Sequence, residues 1–175
     1  MTEDSKKNGS IRSVNPSSDV MDITEIYSWY VENTTATFEL IPLSSNEMLE
    51  RIKNIADRFP YFVWEEGGEI LGYCYAHTWK SFPAYDITVE TTIYLRPEVK
   101  GRGIGKKLMT RLIEECRQRG FENLIACITS ENEESCLFHE YLGFHPVSHF
   151  HKVGRKFGRL LDVTDYEMPL NPNTI

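Results

Sequence analysis

Between Met21 and Val31 apolar side chains recur at near-helical intervals, as Met21, Ile23, Ile26, Tyr27, Tyr30 and Val31, which predicts an amphipathic helix. The threonine-rich run ENTTATFE breaks the pattern into a loop, and Ile11 to Val14 ahead of the helix reads as a short strand. A second helix follows Pro42, with Ser44 as N-cap, Glu47 three residues on, and Met48, Leu49, Ile52, Ile55, Ala56 and Phe59 as the apolar face before Pro60. YFVWEE and EILGYCYAHTW then read as strands joined by Gly67-Gly68, the glycine pair of a tight antiparallel hairpin. ITVETTIYL alternates as a further strand: Val89, Thr91, Ile93 and Leu95 face one way, Glu90, Thr92 and Tyr94 the other.

From Gly103 a helix runs to Arg119 with Ile104, Leu108, Met109, Leu112, Ile113 and Cys116 on its apolar side, and Gly120 is its C′ residue. NLIACI is a buried strand, and SENEESCLFHEYLGF carries a short helix stopping at Gly143. Two strand-like segments, around Val147 to Val153 and Leu160 to Met168, flank a basic loop, GRKFGR. The order is strand, two helices, three strands, helix, strand, helix, two strands: an α/β domain on one mixed sheet.

Residues 99 to 109, VKGRGIGKKLM, stand where that fourth strand meets its helix, and a glycine-rich strand-to-helix turn is a usual place for phosphate. A nucleotide triphosphate loop would need glycine at Lys100 and serine or threonine at Lys107, so that spacing fails. A dinucleotide fingerprint would need its third glycine at Lys106 or Leu108, and that fails too. What remains is basic-x-x-Gly-x-Gly on Lys100, Gly103 and Gly105. Consecutive N–H groups there, the helix dipole and the charges of Lys100, Arg102 and Lys106 suit a pyrophosphate. The same residues are also compatible with a plain glycine turn capping an ordinary helix.

Length and charge narrow the classes further. The 175 residues, 41% of them hydrophobic, predict one domain, spanning residues 11–170 between a polar N-terminal tail (1–10) and a C-terminal tail (171–175). A net charge of -7 argues against a nucleic-acid partner and makes the basic loop a local exception that fits a single anionic ligand. Cys74, Cys116, Cys127 and Cys136 show no C-x-x-C spacing and lie in apolar or helical runs, which predicts reduced core thiols, no zinc site and a cytoplasmic setting. No signal peptide and no apolar run of about 18 residues is present, so no membrane association is expected.

Several linked motifs in one order, over roughly residues 11 to 168, resemble the GNAT superfamily of N-acetyltransferases, and within it the phosphinothricin and methionine-sulfone acetyltransferase branch. The motifs are IYSWYVENTTATFE, YAHTWKSFPAYDITVETTIYL, GRGIGKKLM, NEESCLFHEYLGF and GRKFGRLLDV. The resemblance implies a single mixed, mostly antiparallel sheet flanked by helices, acetyl-CoA as cofactor, a small-molecule amine substrate, no metal, and a homodimer. Coenzyme A would then be held by Lys100, Gly101, Arg102, Gly103, Ile104, Gly105 and Lys106, by the backbone of Ile93, Tyr94 and Leu95 as an added strand, and by Asn132. Asn132 also reads as an ordinary N-cap.

Attack on a thioester needs a neutral amine, so a base must take a proton from the substrate ammonium. The resemblance implies Glu90 for that task; the residue alone also reads as a solvent-facing carboxylate. His139, in FHEYLGF, stands where the wider superfamily carries a thiolate-protonating tyrosine, and its implied role is base, acid or both; a helical histidine can equally be just packed. Tyr141 is the rival acid. On the substrate side the resemblance implies Phe38, Lys80, Pro83, Ala84, Tyr85 and Asp86, with Lys80 pairing a carboxylate or phosphinate. Leu160 replaces the tryptophan usual in the last motif. Two other readings remain beside amino-acid acetylation: acetylation of peptides or proteins, and a noncatalytic acyl-CoA-binding module.

Overall fold

The computed structural model describes residues 9–171. Strand β1 (Ser10–Ser13) pairs with β2, so Ser10, expected in the tail, is part of the sheet; residues 1–8 and 172–175 lie outside the described region. Helix α1 (Pro16–Asn33) starts on the N-cap Asn15, whose side chain accepts from the Ser17 N–H, and buries Ile23, Ile26, Tyr27, Tyr30 and Val31. Met21, expected on that stripe, is exposed. Helix α2 (Ser45–Ala56) has the expected capping box, Ser44 accepting from the Glu47 N–H while Glu47 accepts from that of Ser44.

Strands β2 (Tyr61–Glu66) and β3 (Glu69–Thr78) meet at Gly67 and Gly68, with φ of 65° and 87°, the left-handed pair a two-residue hairpin turn requires. Next come β4 (Thr88–Leu95), α3 (Ile104–Gln118), β5 (Asn123–Thr129) and α4 (Glu133–Leu142). The chain closes with β6 (His145–Lys156) and β7 (Arg159–Pro169). The basic loop expected between the last two strands shrinks to Phe157-Gly158, both at positive φ, because Lys156 and Arg159 pair with each other in the ladder.

All seven strands form one sheet in the order β1-β2-β3-β4-β5-β7-β6, antiparallel except for β4 against β5. Alternation along each strand splits the core in two. Val89, Ile93 and Leu95 of β4 pack with Leu108, Met109 and Leu112 of α3 on one face. On the other, Tyr94 joins Tyr61 and Tyr73 under Tyr27 and Tyr30 of α1. The expected facing of β4 therefore holds, and Glu90 lies on the tyrosine face, beyond the rings.

Cys74 and Cys116 are buried as expected, but Cys136 is only half-buried and Cys127 is exposed. The apolar run NLIACI hides this, since its alternate residues serve opposite faces of a sheet that α1 and α2 cover only in part.

Candidate active site

The parallel pairing of β4 with β5 is brief. Thr88, Val89 and Glu90 face Asn123, Leu124 and Ile125, after which the strands diverge. Thr91 caps the split, its hydroxyl donating to the Ile125 carbonyl at 3.2 Å. From Thr91 to Leu95 strand β4 still pairs with β3, but its other edge is open, so its backbone groups there can receive an extended ligand. Tyr30 reaches from α1 to close the end of this edge, donating to the Leu95 carbonyl at 2.8 Å.

The split opens into a pocket of about 620 Å³. Its walls are the open edge of β4, Ala126 to Thr129 of β5, the start of α3, one side of α4, and Ala36 to Phe38 of the α1–α2 loop. That loop is fastened from two directions. Lys156, almost fully buried, donates to the Thr37 carbonyl at 2.8 Å, and Thr129 donates to the Thr35 carbonyl. Thr35 in turn donates to Glu131, which holds Arg159 through both its oxygens at 2.8 and 2.9 Å. Lys156 and Arg159 of the last hairpin are thus committed to holding this wall.

Glu90 stands at the apex of the split, and its carboxyl is pushed up from 4.5 to about 7, first by burial and then by the charge of Asp165. His77 on β3 lies beside it, Nε2 to Oε1 3.8 Å. The His77 Nδ1 lies 3.1 Å from the Thr78 carbonyl, so that nitrogen carries the proton. Burial lowers the His77 pKa, which leaves a neutral ring toward Glu90. A carboxyl titrating near neutrality is suited to accept a proton from an ammonium at working pH.

His139 is buried in the α4 wall, edge-on to Phe138 and Phe144. Its Nδ1 lies 2.8 Å from the Ser135 carbonyl and must be the protonated nitrogen, so Nε2 carries the lone pair. Burial lowers its pKa as well, which makes the ring a neutral acceptor. Tyr141, two residues on from His139 along α4, also lines the pocket, with Lys106 donating to its hydroxyl at 2.6 Å.

At the far end, Gly103 is the N-cap of α3 with φ 77°, and no side chain caps the helix. The first N–H groups of a 15-residue helix therefore face the pocket mouth, between Lys100 and Lys106. An open strand edge leading to an uncapped helix N-terminus fits a long ligand with amides at one end and a pyrophosphate at the other, as coenzyme A has. Bound there, it would supply the activated acetyl group near Glu90.

Of the expected residues, the pocket gathers Glu90, His139, Ile93, Tyr94, Leu95, Lys100, Gly101, Gly103, Gly105, Lys106, Asn132 and Phe38. Asn132 lines the pocket and is at the same time the N-cap of α4, accepting from the Ser135 N–H at 3.3 Å. Arg102 turns away to Glu66, its Nη2 donating to both carboxylate oxygens at 2.7 and 2.8 Å, and the Ile104 side chain is in the core. Lys80, Pro83, Ala84, Tyr85 and Asp86 do not line the pocket. They form an exposed loop in which the Lys80 ammonium lies 4.1 Å from the centre of the Trp79 ring and 5.0 Å from that of Tyr85.

Sequence reasoning missed Tyr30, Thr37, Thr92, Cys127 and Val163 as lining residues. Tyr30 sat on a helical stripe that reads as core. For Cys127 there was a signal: counted by twos along β5, it shares a face with Ile125, the residue opposite Glu90. Although the residue as a whole is exposed, desolvation at its sulfur and then the charges of Glu90 and Asp165 push its thiol up to about 12, so it stays protonated at neutral pH.

Residues 23–144 match the Acetyltransferase (GNAT) family, and with this fold the chain belongs to that family. It is 37% identical over 155 residues to a phosphinothricin N-acetyltransferase of Alcaligenes faecalis, covering 87% of this chain and 79% of that protein. An L-methionine sulfoximine/L-methionine sulfone acetyltransferase of Salmonella typhimurium is 36% identical, with coverage of 87% and 90%. Among solved structures, a phosphinothricin acetyltransferase of Sinorhizobium meliloti in complex with AcCoA superposes with a TM-score of 0.88 at 37% identity, over 92% of this chain and 88% of that one.

Proposed function

We propose that this chain is an acetyl-CoA-dependent N-acetyltransferase acting on the α-amine of a small amino acid with a compact, oxygen-rich head, of the phosphinothricin, methionine sulfone or methionine sulfoximine type. The observation that carries the reading is Glu90, a carboxyl titrating at about 7 where an open strand edge meets a pocket. Glu90 takes the proton from the substrate ammonium, which leaves a neutral amine beside the acetyl donor in one ternary complex. His139, neutral with Nε2 free of its proton, serves as a second acceptor in the wall. Lys100, Lys106 and the N–H groups behind Gly103 hold the pyrophosphate, and the edge of Ile93 to Leu95 holds the pantetheine amides. The relatives named above support the acceptor class. The fastened α1–α2 loop narrows the acceptor side, which supports a small substrate over a peptide.

A free-thiol release assay with acetyl-CoA tests this across phosphinothricin, methionine sulfone, methionine sulfoximine, ordinary amino acids and peptides. The oxidised or phosphinate heads are expected to exceed plain methionine in kcat/KM by about tenfold, since two further hydrogen bonds supply about 1.4 kcal/mol. Peptides outrunning them would establish the peptide reading, and no turnover on any amine the noncatalytic one.

Residues 11–170 are proposed as the catalytic domain, working in the cytoplasm as a homodimer. Four free thiols suit a reducing compartment, and Leu40, Ile41, Phe82 and Ile87 leave apolar surface for a second copy. Light scattering is expected to give twice the chain mass, and a monomer at micromolar concentration would refute the dimer.

A further inference from the structure

Outside the pocket, the last hairpin gathers three metal-ligating side chains. His149 and His151 alternate along β6, and Asp162 stands across from them on β7. The ladder explains why they converge. His149 pairs with Thr164 and Phe150 with Val163, but the next pair is Gly154 with Leu161, so residues 151 to 153 bulge opposite Asp162 alone. Lys152, at the crest of the bulge, has φ 55°, a conformation unfavourable for a residue with a Cβ, and its N–H donates to Asp162 Oδ1 at 2.8 Å. The other carboxylate oxygen, Oδ2, lies 3.2 Å from His149 Nε2 and 3.2 Å from His151 Nδ1.

We propose that His149, His151 and Asp162 form a binding site for one divalent transition-metal ion, with Zn²⁺ the fitting member of that class. Two imidazole nitrogens and a carboxylate oxygen are borderline donors that favour such ions over calcium or magnesium. Ligand atoms bound at about 2.0–2.2 Å in a tetrahedron lie roughly 3.4 Å apart, close to the two contacts already made by Asp162. The three ligand atoms lie within 4.8 Å of one another, and His151, 78% exposed at its side chain, is free to turn the remaining distance.

Two of the three ligands also have the outer partners that metal sites use to orient them. His149 Nδ1 is held by the Thr164 hydroxyl at 3.0 Å, which leaves Nε2 for the ion, and the Lys152 N–H fixes the Asp162 carboxylate. None of the three residues lines the pocket, so the ion clamps the β6 bulge to β7 without entering the reaction.

Isothermal titration of untagged, metal-free full chain with Zn²⁺ tests the site. One ion per chain is expected, with a rise in thermal midpoint on binding. His149→Ala and Asp162→Asn should each weaken it at least about tenfold. His151→Ala, at the most exposed position, should do the same without disturbing the fold, while His145→Ala, a histidine of the same strand paired with Glu167, should leave binding unchanged. With Co²⁺ as probe, the visible spectrum should lack a thiolate charge-transfer band. Equal affinity in the wild type and all three ligand variants, or a thiolate band tracing the ion to cysteine, would overturn the assignment.

Discussion

Glu90→Gln should lower turnover by about 10²–10⁴-fold while leaving acetyl-CoA affinity nearly unchanged, because on the proposed mechanism it removes the positioned base without removing bulk or a coenzyme contact. The pH profile should change with it. The base must be ionised to act, so wild-type kcat/KM rises with pH through about 7, where the buried carboxyl titrates. In the Gln variant that limb should vanish, and the remaining rate should follow ionisation of the substrate amine in solution. Wild-type turnover in the variant would remove Glu90 from the chemistry.

The same substitution has an opposite consequence for stability. A carboxyl whose pKa is raised in the folded state binds its proton more tightly there than when unfolded. Its contribution is therefore fully favourable below about 4.5 and is lost as pH rises through about 7. A shift of that size amounts to on the order of 3 kcal/mol. Glu90→Gln should abolish this loss, so denaturant midpoints should favour the variant at pH 8 and converge with wild type near pH 4.5. A gain in stability with a loss of turnover is the signature of a group placed for reaction and not for folding.

Local pattern carried most of the fold, because each helix and strand is amphipathic at its own period and the turns use residues that few other conformations want. The capping box at Ser44 and the glycine pair at 67 and 68 are read directly from side-chain chemistry. Alternation in TVETTIYL likewise put Glu90 opposite Val89. Pairing between distant segments is what the pattern does not carry. The split after Glu90 depends on where β5 leaves β4, and that split opens the pocket that Glu90 lines. Lys156 reads as one more basic loop residue, yet it is buried through a hydrogen bond to Thr37, 119 positions away. SFPAYD is a motif of the resemblance, but its side chains point to solvent around Lys80. The bulge that brings His151 to Asp162 is a register shift, and register is a property of two strands together.

Gly103→Val should weaken acetyl-CoA binding by between about tenfold and a hundredfold, or roughly 1.4–2.7 kcal/mol. Two effects combine there. A φ of 77° is costly for a β-branched residue, and the added side chain would stand beside the first N–H groups of α3, where the proposed site puts the phosphates. The protein itself offers no obstruction, since a Cβ at Gly103 meets nothing within 4 Å. Gly120, just past the other end of α3, separates the two effects: its φ is 83° and it too has open space around a Cβ. Gly120→Val should therefore carry comparable backbone strain and lower the thermal midpoint, yet leave coenzyme affinity as it was. Gly103→Asn completes the test, because asparagine tolerates the left-handed conformation while still adding a side chain. Calorimetry with acetyl-CoA on the folded variants reads the result. Weak binding by both Gly103 variants with normal binding by Gly120→Val would place the phosphates against the start of α3, whereas wild-type affinity in Gly103→Val would move them elsewhere.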